Sequence, residues 1–502
     1  MPNQSKFVNI PEWIKLKRYP HIGLPISPRH VASIRKYVET PEKIASHAFM
    51  PFIRREMVSH PHRLNPDTNK KEPKRKVREL TYASHVDSVI FSYYADRLQH
   101  RYEDFVRKNH LDDVVVAYRK IRCQDGKGNK CNIHIAGDVF QYVKSQLKLD
   151  KEVALITFDI KGFFDNLDHK IVKQTWKQIM GYNDMPKDEY NVYKHATKYS
   201  YVIDEKLFYL FKDRILCESN GGVVPHKVKA LKYMRNRKAV AFCDRSDIDA
   251  IRKSGYIQGH TDSKGIPQGL PISAVLANIY MCNFDLDIAS KVKASNGIYK
   301  RYSDDIVVVC PIKDARYWRD YVIKHIKSVN LEIQPEKTNL YELHKIHGRT
   351  MCIHETEGLN KKIEYLGFSF DGENILIKSA GVGKYYYKMA RAKRRHKRWA
   401  ISINNSTSGY VFEHPLFKRY SLAGSRRHQI RKKVGKKFLK TGRKGYGNYL
   451  TYVLKASEVL HEPKIRRQLR RNLNKLKKSI NEIYADIKRV ENARLMAMMY
   501  GH

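Results

Sequence analysis

The chain has 502 residues, 42% of them hydrophobic and 11% aromatic, which excludes wholesale disorder and leaves enough apolar surface for roughly two to four packed domains. Its 96 Lys and Arg against 51 Asp and Glu give a formal charge of +45, and such a surface asks for a polyanion, nucleic acid first, because a membrane role would need an apolar insertion face as well. No run of about 18 apolar residues appears and MPNQSKFVNI lacks the charged-then-apolar order of a signal peptide, so a cytoplasmic protein with no membrane role is expected.

From the start, residues 1–150 read as a helical region interrupted by a basic segment, NPDTNKKEPKRKVREL, whose Pro, Asn and Lys content predicts an exposed loop. Directly after it, YASHVDSVIFSYYADRLQHRYEDFVRK places Val86, Ile90, Tyr93, Tyr94 and Leu98 at helical spacing and predicts a long amphipathic helix with that stripe in the core. From 151 to 345, strand-like runs (VALITFDI, IYKRYSDDIVVVC) alternate with helical stretches, an α/β rhythm. Past 345, IEYLGFSFDGENILIKS reads as a hairpin turning at Asp371 and Gly372, KYYYKMARAKRRHKRW as a basic helix, and the remainder as further basic helix. In that remainder Ile465, Leu469, Leu473, Leu476, Ile480, Ile483, Ile487 and Val490 form a seam at spacings of three and four, which serves either packing on the chain's own helices or a homo-oligomer. Seven cysteines without a CxxC pair read as reduced structural thiols, and His344, His347 and His354 as a solvated surface.

Two sets of acids carry the chemistry. In Tyr302-Ser303-Asp304-Asp305 an apolar run (306–309) follows two adjacent acids, which predicts a hairpin tip. Adjacent carboxylates repel, so such a tip is stable when partly solvated or bridged by cations such as Mg²⁺. Alone, an Asp-Asp pair is more often a solvated turn. A second apolar run, 153–158, ends in Asp159, and acids at two strand ends suit two metal ions about 3.5–4 Å apart that clamp an in-line displacement. Asp165 and Asp168 read as acids at helix N-termini. In 264–273, KGIPQGLPIS, Gly265 and Gly269 lack a Cβ and let a base pair approach, while Pro267 and Pro271 hold the loop's shape.

Taken in order, FDIKGFFDNLDH, GIPQGLPISAVLANIYM and YSDDIVVV resemble the palm motifs of reverse transcriptases. The resemblance covers residues 70–400 and implies an α/β (α+β) right-hand polymerase with fingers and palm, followed by a basic α-helical thumb and C-terminal region. It implies domains at 1–150 (N-terminal helices and fingers), 151–345 (palm, with fingers elements interleaved), 346–400 (primer-grip hairpin YLGFSF and start of the thumb) and 401–502 (basic helices). By resemblance, Asp159, Asp304 and Asp305 are catalytic and, with the Ile160 backbone, hold two Mg²⁺ ions, or Mn²⁺. Arg78, Arg119, Phe164, Gln268, Gly269 and Lys337 would contact nucleotide or template, Phe164 as the gate against a ribose 2′-hydroxyl, and Asn132 in CNIHIA would belong to a fingers motif.

The YASH, AYR and YLGFSF pattern is similar to that of bacterial defence-associated reverse transcriptases of the abortive-infection and uncharacterised groups, with retron enzymes as the alternative, although their usual Ala at the second position of the third motif is Ser303 here. That implies an RNA template, in particular a dedicated non-coding RNA, a DNA product, deoxynucleotide substrates and an antiphage role. An RNA-dependent RNA polymerase is disfavoured by the Pro-Gln-Gly loop and Phe164, and no nuclease constellation follows the palm. A catalytically silent RNA-binding palm is the remaining alternative. Such relatives sometimes start synthesis on a protein hydroxyl or without a template, and Tyr500 in MAMMYGH is the candidate primer because chain ends are commonly free to move.

Overall fold

Two apolar runs set the centre of the fold. Val153–Asp159 and Asp305–Pro311 are neighbours in a five-stranded sheet of order Ile298–Tyr302, Asp305–Pro311, Val153–Asp159, Asn339–Ile346, Arg349–His354. Residues 153–156 and 306–310 are buried without interruption, as strands covered on both faces require. Asn339–Ile346 runs antiparallel to both its neighbours, with Leu340 opposite Ile156 and Leu343 opposite Cys352.

The computed structural model describes residues 10–500 apart from 61, 65–67, 69, 127, 360, 403–408 and 435–436. The chain forms two compact units interleaved in sequence: residues 1–119, 158–308 and 316–338 in the first, and 120–157, 309–315 and 339–502 in the second. The class is mixed α/β with a helical C-terminal region, as expected.

In the first unit, the helix His85–Lys108 starts where the Ser84 hydroxyl accepts from the Asp87 N–H, and it buries Ile90, Tyr94, Leu98, Tyr102 and Val106, one residue per turn. Val86 and Tyr93 sit half-buried at the edge of that stripe. Part of the basic segment expected as a loop is strand: Lys76–Tyr82 pairs antiparallel with Phe52–Ser59, Met57 opposite Arg78. Cross-strand pairing supplies what local composition does not. Its residues 65–67 and 69 lie outside the described residues. The ribbon belongs to a sheet of order Gln258–Gly259, Ser200–Ile203, Phe52–Ser59, Lys76–Tyr82. A further sheet, His21–Ile22, Ala239–Cys243, Ile215–Ser219, Gly222–His226, closes over Leu207, Phe208, Phe211 and Phe242.

In the second unit, Ile363–Tyr365, Phe368–Phe370 and Ile375–Ile377 make a three-stranded meander. It turns at Asp371 and Gly372 as expected: Gly372 has φ +96°, and Asp371 Oδ1 accepts from the Asn374 N–H at 2.7 Å. The basic helix Ser379–Ile401 buries Tyr385, Met389, Ala392, His396 and Ala400.

The expected seam is interrupted. Ile465 belongs to the short helix Lys464–Arg467 and the rest to Asn472–Tyr500 or the turn between. Its residues Ile483 and Ile487 pack with Ala400, Ile401 and Val411 of the same chain, while Leu473 is exposed. The apolar stripe is thus used largely by the chain's own helices.

The stretch after 401 is not all helix, which corrects the sequence reading: Gln429–Val434 and Lys437–Lys444 form an antiparallel hairpin. Ile430, Val434, Phe438 and Thr441 favour strand over helix, a signal hidden under the lysines. His354 departs from the expected solvated surface too, being buried with its Nε2 at 3.2 Å from Asn339 Oδ1, and burial lowers its pKa. No described helix is long and apolar enough to cross a membrane.

Candidate active site

Asp159 ends its strand because the apolar run ends there, and the next residue ties it to the second acid. The Ile160 N–H donates to the Asp304 carbonyl at 3.1 Å, and the Gln334 N–H donates to the Asp159 carbonyl at 2.8 Å. Backbone pairing therefore places both acids at one strand edge. Ser303 and Asp304 are the turn between Ile298–Tyr302 and Asp305–Pro311, and Ser303 adopts φ +61°, a conformation that costs a non-glycine residue energy unless its surroundings enforce it.

Those surroundings are polar and buried. Arg301 and Asp285 form an ion pair with neither side chain exposed, and Arg301 Nη1 donates to the Ser303 carbonyl at 3.2 Å. Arg301 Nη1 also reaches Asn278 Oδ1 at 3.5 Å, and Asn278 Nδ2 donates to the Ala117 carbonyl at 3.0 Å. This brings Tyr118, itself at φ +62°, to the turn, with its hydroxyl 3.1 Å from Ser303 Oγ. Sequence reading missed Tyr118, Asn278, Asp285 and Arg301. Arg301, three residues before Asp304 in the strand Ile298–Tyr302, was the available signal, since a cation buried in a strand needs a buried partner.

Burial raises the Asp304 pKa and the Asp159 charge adds to the rise, while Lys337 opposes it. Lys337 Nζ donates to Asp159 Oδ1 at 2.7 Å. Among the described residues no three His, Cys, Asp or Glu side chains gather into a ready cluster for a metal. That is compatible with Mg²⁺, which is commonly held by one or two carboxylates with phosphate oxygens and water completing its shell. Asp159 and Asp304, tied through the Ile160 backbone and with Asp305 next in sequence, are the carboxylates that could supply such ligands, and Lys337 pairs with one oxygen of Asp159.

A cavity of about 820 Å³, within the usual range for a ligand site, opens over Asp159, Ile160, Asp304 and Lys337, while Asp305 is not among its lining residues. One wall is the exposed strand start with Lys76 and Arg78 and the two residues before it, Lys74 and Arg75; the floor holds Asp159, Asp304 and Lys337; Phe164, Gln268 and Tyr118 complete it. The adjacent phenylalanines both border the cavity and differ in exposure: Phe163 is buried, whereas Phe164 is half-buried.

Gln268 lies at the cavity, with Nε2 donating to Asp165 Oδ1 at 3.4 Å and its carbonyl accepting from the Thr81 N–H at 2.8 Å. Gly269 has φ +123°, and a Cβ there would stand 2.6 Å from the Thr81 carbonyl oxygen. The space left by its missing side chain is thus filled by the chain's own strand rather than left open for a base pair. Gly265 is similar, a Cβ meeting the Asp165 carbonyl at 3.0 Å. Asp168 caps His169–Met180, accepting from the Lys170 N–H at 2.7 Å, as expected of a helix N-terminal acid.

Arg119 departs from the expected nucleotide contact: its guanidinium is almost wholly buried and bonded to both oxygens of Glu103, to Asp112 and to the Val115 carbonyl, so its donors are taken by the protein's own acceptors. Asn132, at the start of Asn132–Lys148, donates to the Leu366 carbonyl and the Tyr452 hydroxyl in the second unit. Tyr500 is exposed in the last turn of Asn472–Tyr500.

The family model of reverse transcriptase (RNA-dependent DNA polymerase) matches residues 226–370, a span holding Gln268, Asp304, Asp305, Lys337 and YLGFSF but not Arg78, Asp159 or Phe164. No curated protein matches the chain. Among solved structures, C-terminally truncated apo telomerase from Candida tropicalis is similar at TM-score 0.36 and 11% identity, over 64% of this chain and 57% of that one. Telomerase from Candida albicans with a fragment of telomeric RNA is similar at TM-score 0.36 and 11% identity, over 75% and 54%. The chain spans little more than half the length of these structures. Residues 226–370 therefore carry the match to the reverse transcriptase family, and the likeness to solved structures adds no argument to it.

Proposed function

We propose that the chain is an RNA-directed DNA polymerase in which Asp159, Asp304 and Asp305, with the Ile160 carbonyl, hold two divalent cations, Mg²⁺ or Mn²⁺, and copy an RNA template into DNA. The observation that carries this reading is the joining of Asp159 and Asp304 at one strand edge by the Ile160 N–H, beneath a wall of Lys and Arg.

In the reaction, a primer 3′-hydroxyl attacks the α-phosphorus of a deoxynucleoside triphosphate. The new P–O3′ bond forms, the bond to pyrophosphate breaks, and the hydroxyl proton leaves to solvent. The cations would supply activation of the hydroxyl and charge neutralisation at the phosphates. The protein's part is positioning and electrostatics. Lys74, Arg75, Lys76 and Arg78 present positive charge to the triphosphate, Lys337 balances the acids, and Gln268 borders the base pair. Phe164, half-buried against Phe163 with ring centroids 5.6 Å apart, presents its free side to the sugar and bars a 2′-hydroxyl.

The test is primer extension on an RNA template with Mg²⁺. Asp304→Asn combined with Asp305→Asn should abolish it, and normal synthesis by that variant would overturn the metal assignment. A catalytically silent RNA-binding palm predicts no product from the wild type either.

The finer reading is a defence enzyme of the abortive-infection or uncharacterised groups working on a dedicated non-coding RNA. It is supported by the YASH, AYR and YLGFSF pattern and by the positive charge beyond residue 345. Sequencing the nucleic acid that copurifies with the protein tests it: one enriched RNA is expected, and a heterogeneous pool would count against it. Tyr500, exposed, is the proposed site of protein priming. Incubation with labelled deoxynucleotides and no primer should label it, and label that persists in Tyr500→Phe would place the primer elsewhere.

A further inference from the structure

The hairpin Gln429–Val434 and Lys437–Lys444 in the second unit has no place in the chemistry above, and three of its features are costly in a free protein. The first is charge. Residues 426–446, RRHQIRKKVGKKFLKTGRKGY, contain ten Lys and Arg and no Asp or Glu. In the ladder Arg431 stands opposite Lys440, and like charges directly opposite across a pair of strands destabilise it.

The second is the lack of a core. Ile430, Arg431, Phe438, Leu439, Lys440, Thr441 and Lys444 are all exposed, on both faces, and an isolated two-stranded hairpin is only marginally stable in water. The base of the hairpin is nevertheless built: the Gly445 N–H donates to the His428 carbonyl at 2.8 Å, Arg427 Nε donates to the Gly445 carbonyl at 3.1 Å, and Thr441 Oγ1 donates to the Ile430 carbonyl at 2.7 Å. The third is its aromatics. Phe438 is 64% exposed, and Tyr446, at the foot of the second strand, is 101% exposed.

We infer that this hairpin is a nucleic-acid-binding arm whose ligand is an unpaired stretch of RNA. A polyphosphate backbone relieves the repulsion between facing cations and releases counterions, while freely presented rings offer stacking platforms to unpaired bases. A lipid surface fits less well, because Phe438 and Leu439 are adjacent in one strand and point to opposite faces, leaving no single apolar side to insert. The choice of RNA over DNA rests on the reading of the chain as an RNA-directed polymerase; the choice of an unpaired polyanion rests on the hairpin alone.

The experiment uses the full-length chain, a labelled unstructured RNA oligonucleotide and a salt titration. In one variant Arg431, Lys440 and Lys444 are each changed to Gln. Its binding should weaken about tenfold or more, and the slope of log affinity against log salt should fall by about 2, roughly 0.7 for each single-strand phosphate that is no longer neutralised. Tyr446→Ala, which removes a side chain that packs on nothing, should weaken binding about fivefold or more with the thermal midpoint unchanged.

Wild-type affinity and slope in both variants would overturn the arm. Equal or tighter binding of duplex DNA, or of vesicles of anionic phospholipid, with the same dependence on these residues would overturn its assignment to unpaired RNA. Primer extension by the wild type is measured alongside. Its absence, with arm-dependent RNA binding intact, would fell the polymerase reading and leave the arm standing.

Discussion

Arg301 and Asp285 meet inside the protein with Nη2 2.6 Å from Oδ2 and Nε 2.8 Å from Oδ1, and the same guanidinium holds the carbonyl of Ser303 in the turn that carries Asp304. Tyr299 adds a third donor, its hydroxyl 2.7 Å from Asp285 Oδ1. The pair is therefore satisfied within the core and joined directly to the candidate active site.

Stability and rate should separate at this pair. Arg301→Met alone strands a buried carboxylate and should cost about 3–5 kcal/mol, whereas Arg301→Met with Asp285→Leu removes both charges and should cost less, about 1–3 kcal/mol for the Tyr299 hydroxyl and Ser303 carbonyl left without their partners. The double variant still loses the anchor on Ser303, and a displacement of the acids by about 1 Å can cost on the order of 100-fold in rate. Urea unfolding and single-turnover extension measure the two effects. A double variant with full activity would remove the pair's role in placing the acids.

Phe164→Ala should admit ribonucleotides, because Phe164 is the more exposed of the two phenylalanines that border the cavity and Phe163 stays buried. The ratio of ribo- to deoxynucleotide incorporation should rise, with the rate on deoxynucleotides less affected. An unchanged ratio in a folded variant would remove the gate role.

Gly269→Ala should destabilise the protein by about 1–3 kcal/mol, since it combines an unfavourable positive φ with a clash against backbone. The added Cβ would stand 2.6 Å from the Thr81 carbonyl oxygen, which no rotamer change relieves. Gly383→Ala is the control, for nothing lies near that position. Thermal unfolding of the two variants makes the comparison, and equal midpoints would count against the close approach seen here.

Two buried histidines predict a pH window for stability. Burial pushes His21 down to about 4, partly offset by the Asp87 carboxylate, and burial likewise pushes His85 down to about 4. Both are held neutral in the folded protein but titrate near 6.5 when unfolded. Their contribution is fully present above pH 6.5 and is lost as pH falls toward 4, because the unfolded chain then binds more protons. Each is worth on the order of 3 kcal/mol across that range. The urea midpoint should fall between pH 7 and pH 4.5, and His21→Phe should flatten the fall. A midpoint independent of pH would remove the effect.

Much of the candidate site was legible locally. An apolar run that ends in an acid marks a strand end whatever surrounds it, so Asp159 and the Ser303–Asp304 turn could be read from periodicity, as could the Asp371–Gly372 turn and the Asp168 cap. Where side chains go afterwards is not a local property. Arg119 and Arg301 are both arginines close to motif residues, yet both are buried on acids sixteen residues earlier in the chain, Glu103 and Asp285, and only the packing of the helices bearing those acids decides this. The glycine at 269 announced a close approach, but whether a base or a strand would approach depended on where Lys76–Tyr82 came to lie. The seam after residue 463 shows the same division: its spacing sets which residues seek burial, and the packing against Ala400 and Val411 decides what buries them. Hydrophobic pattern is written residue by residue, whereas the partner of a charge or an apolar stripe is chosen by segments that meet only when the chain has folded.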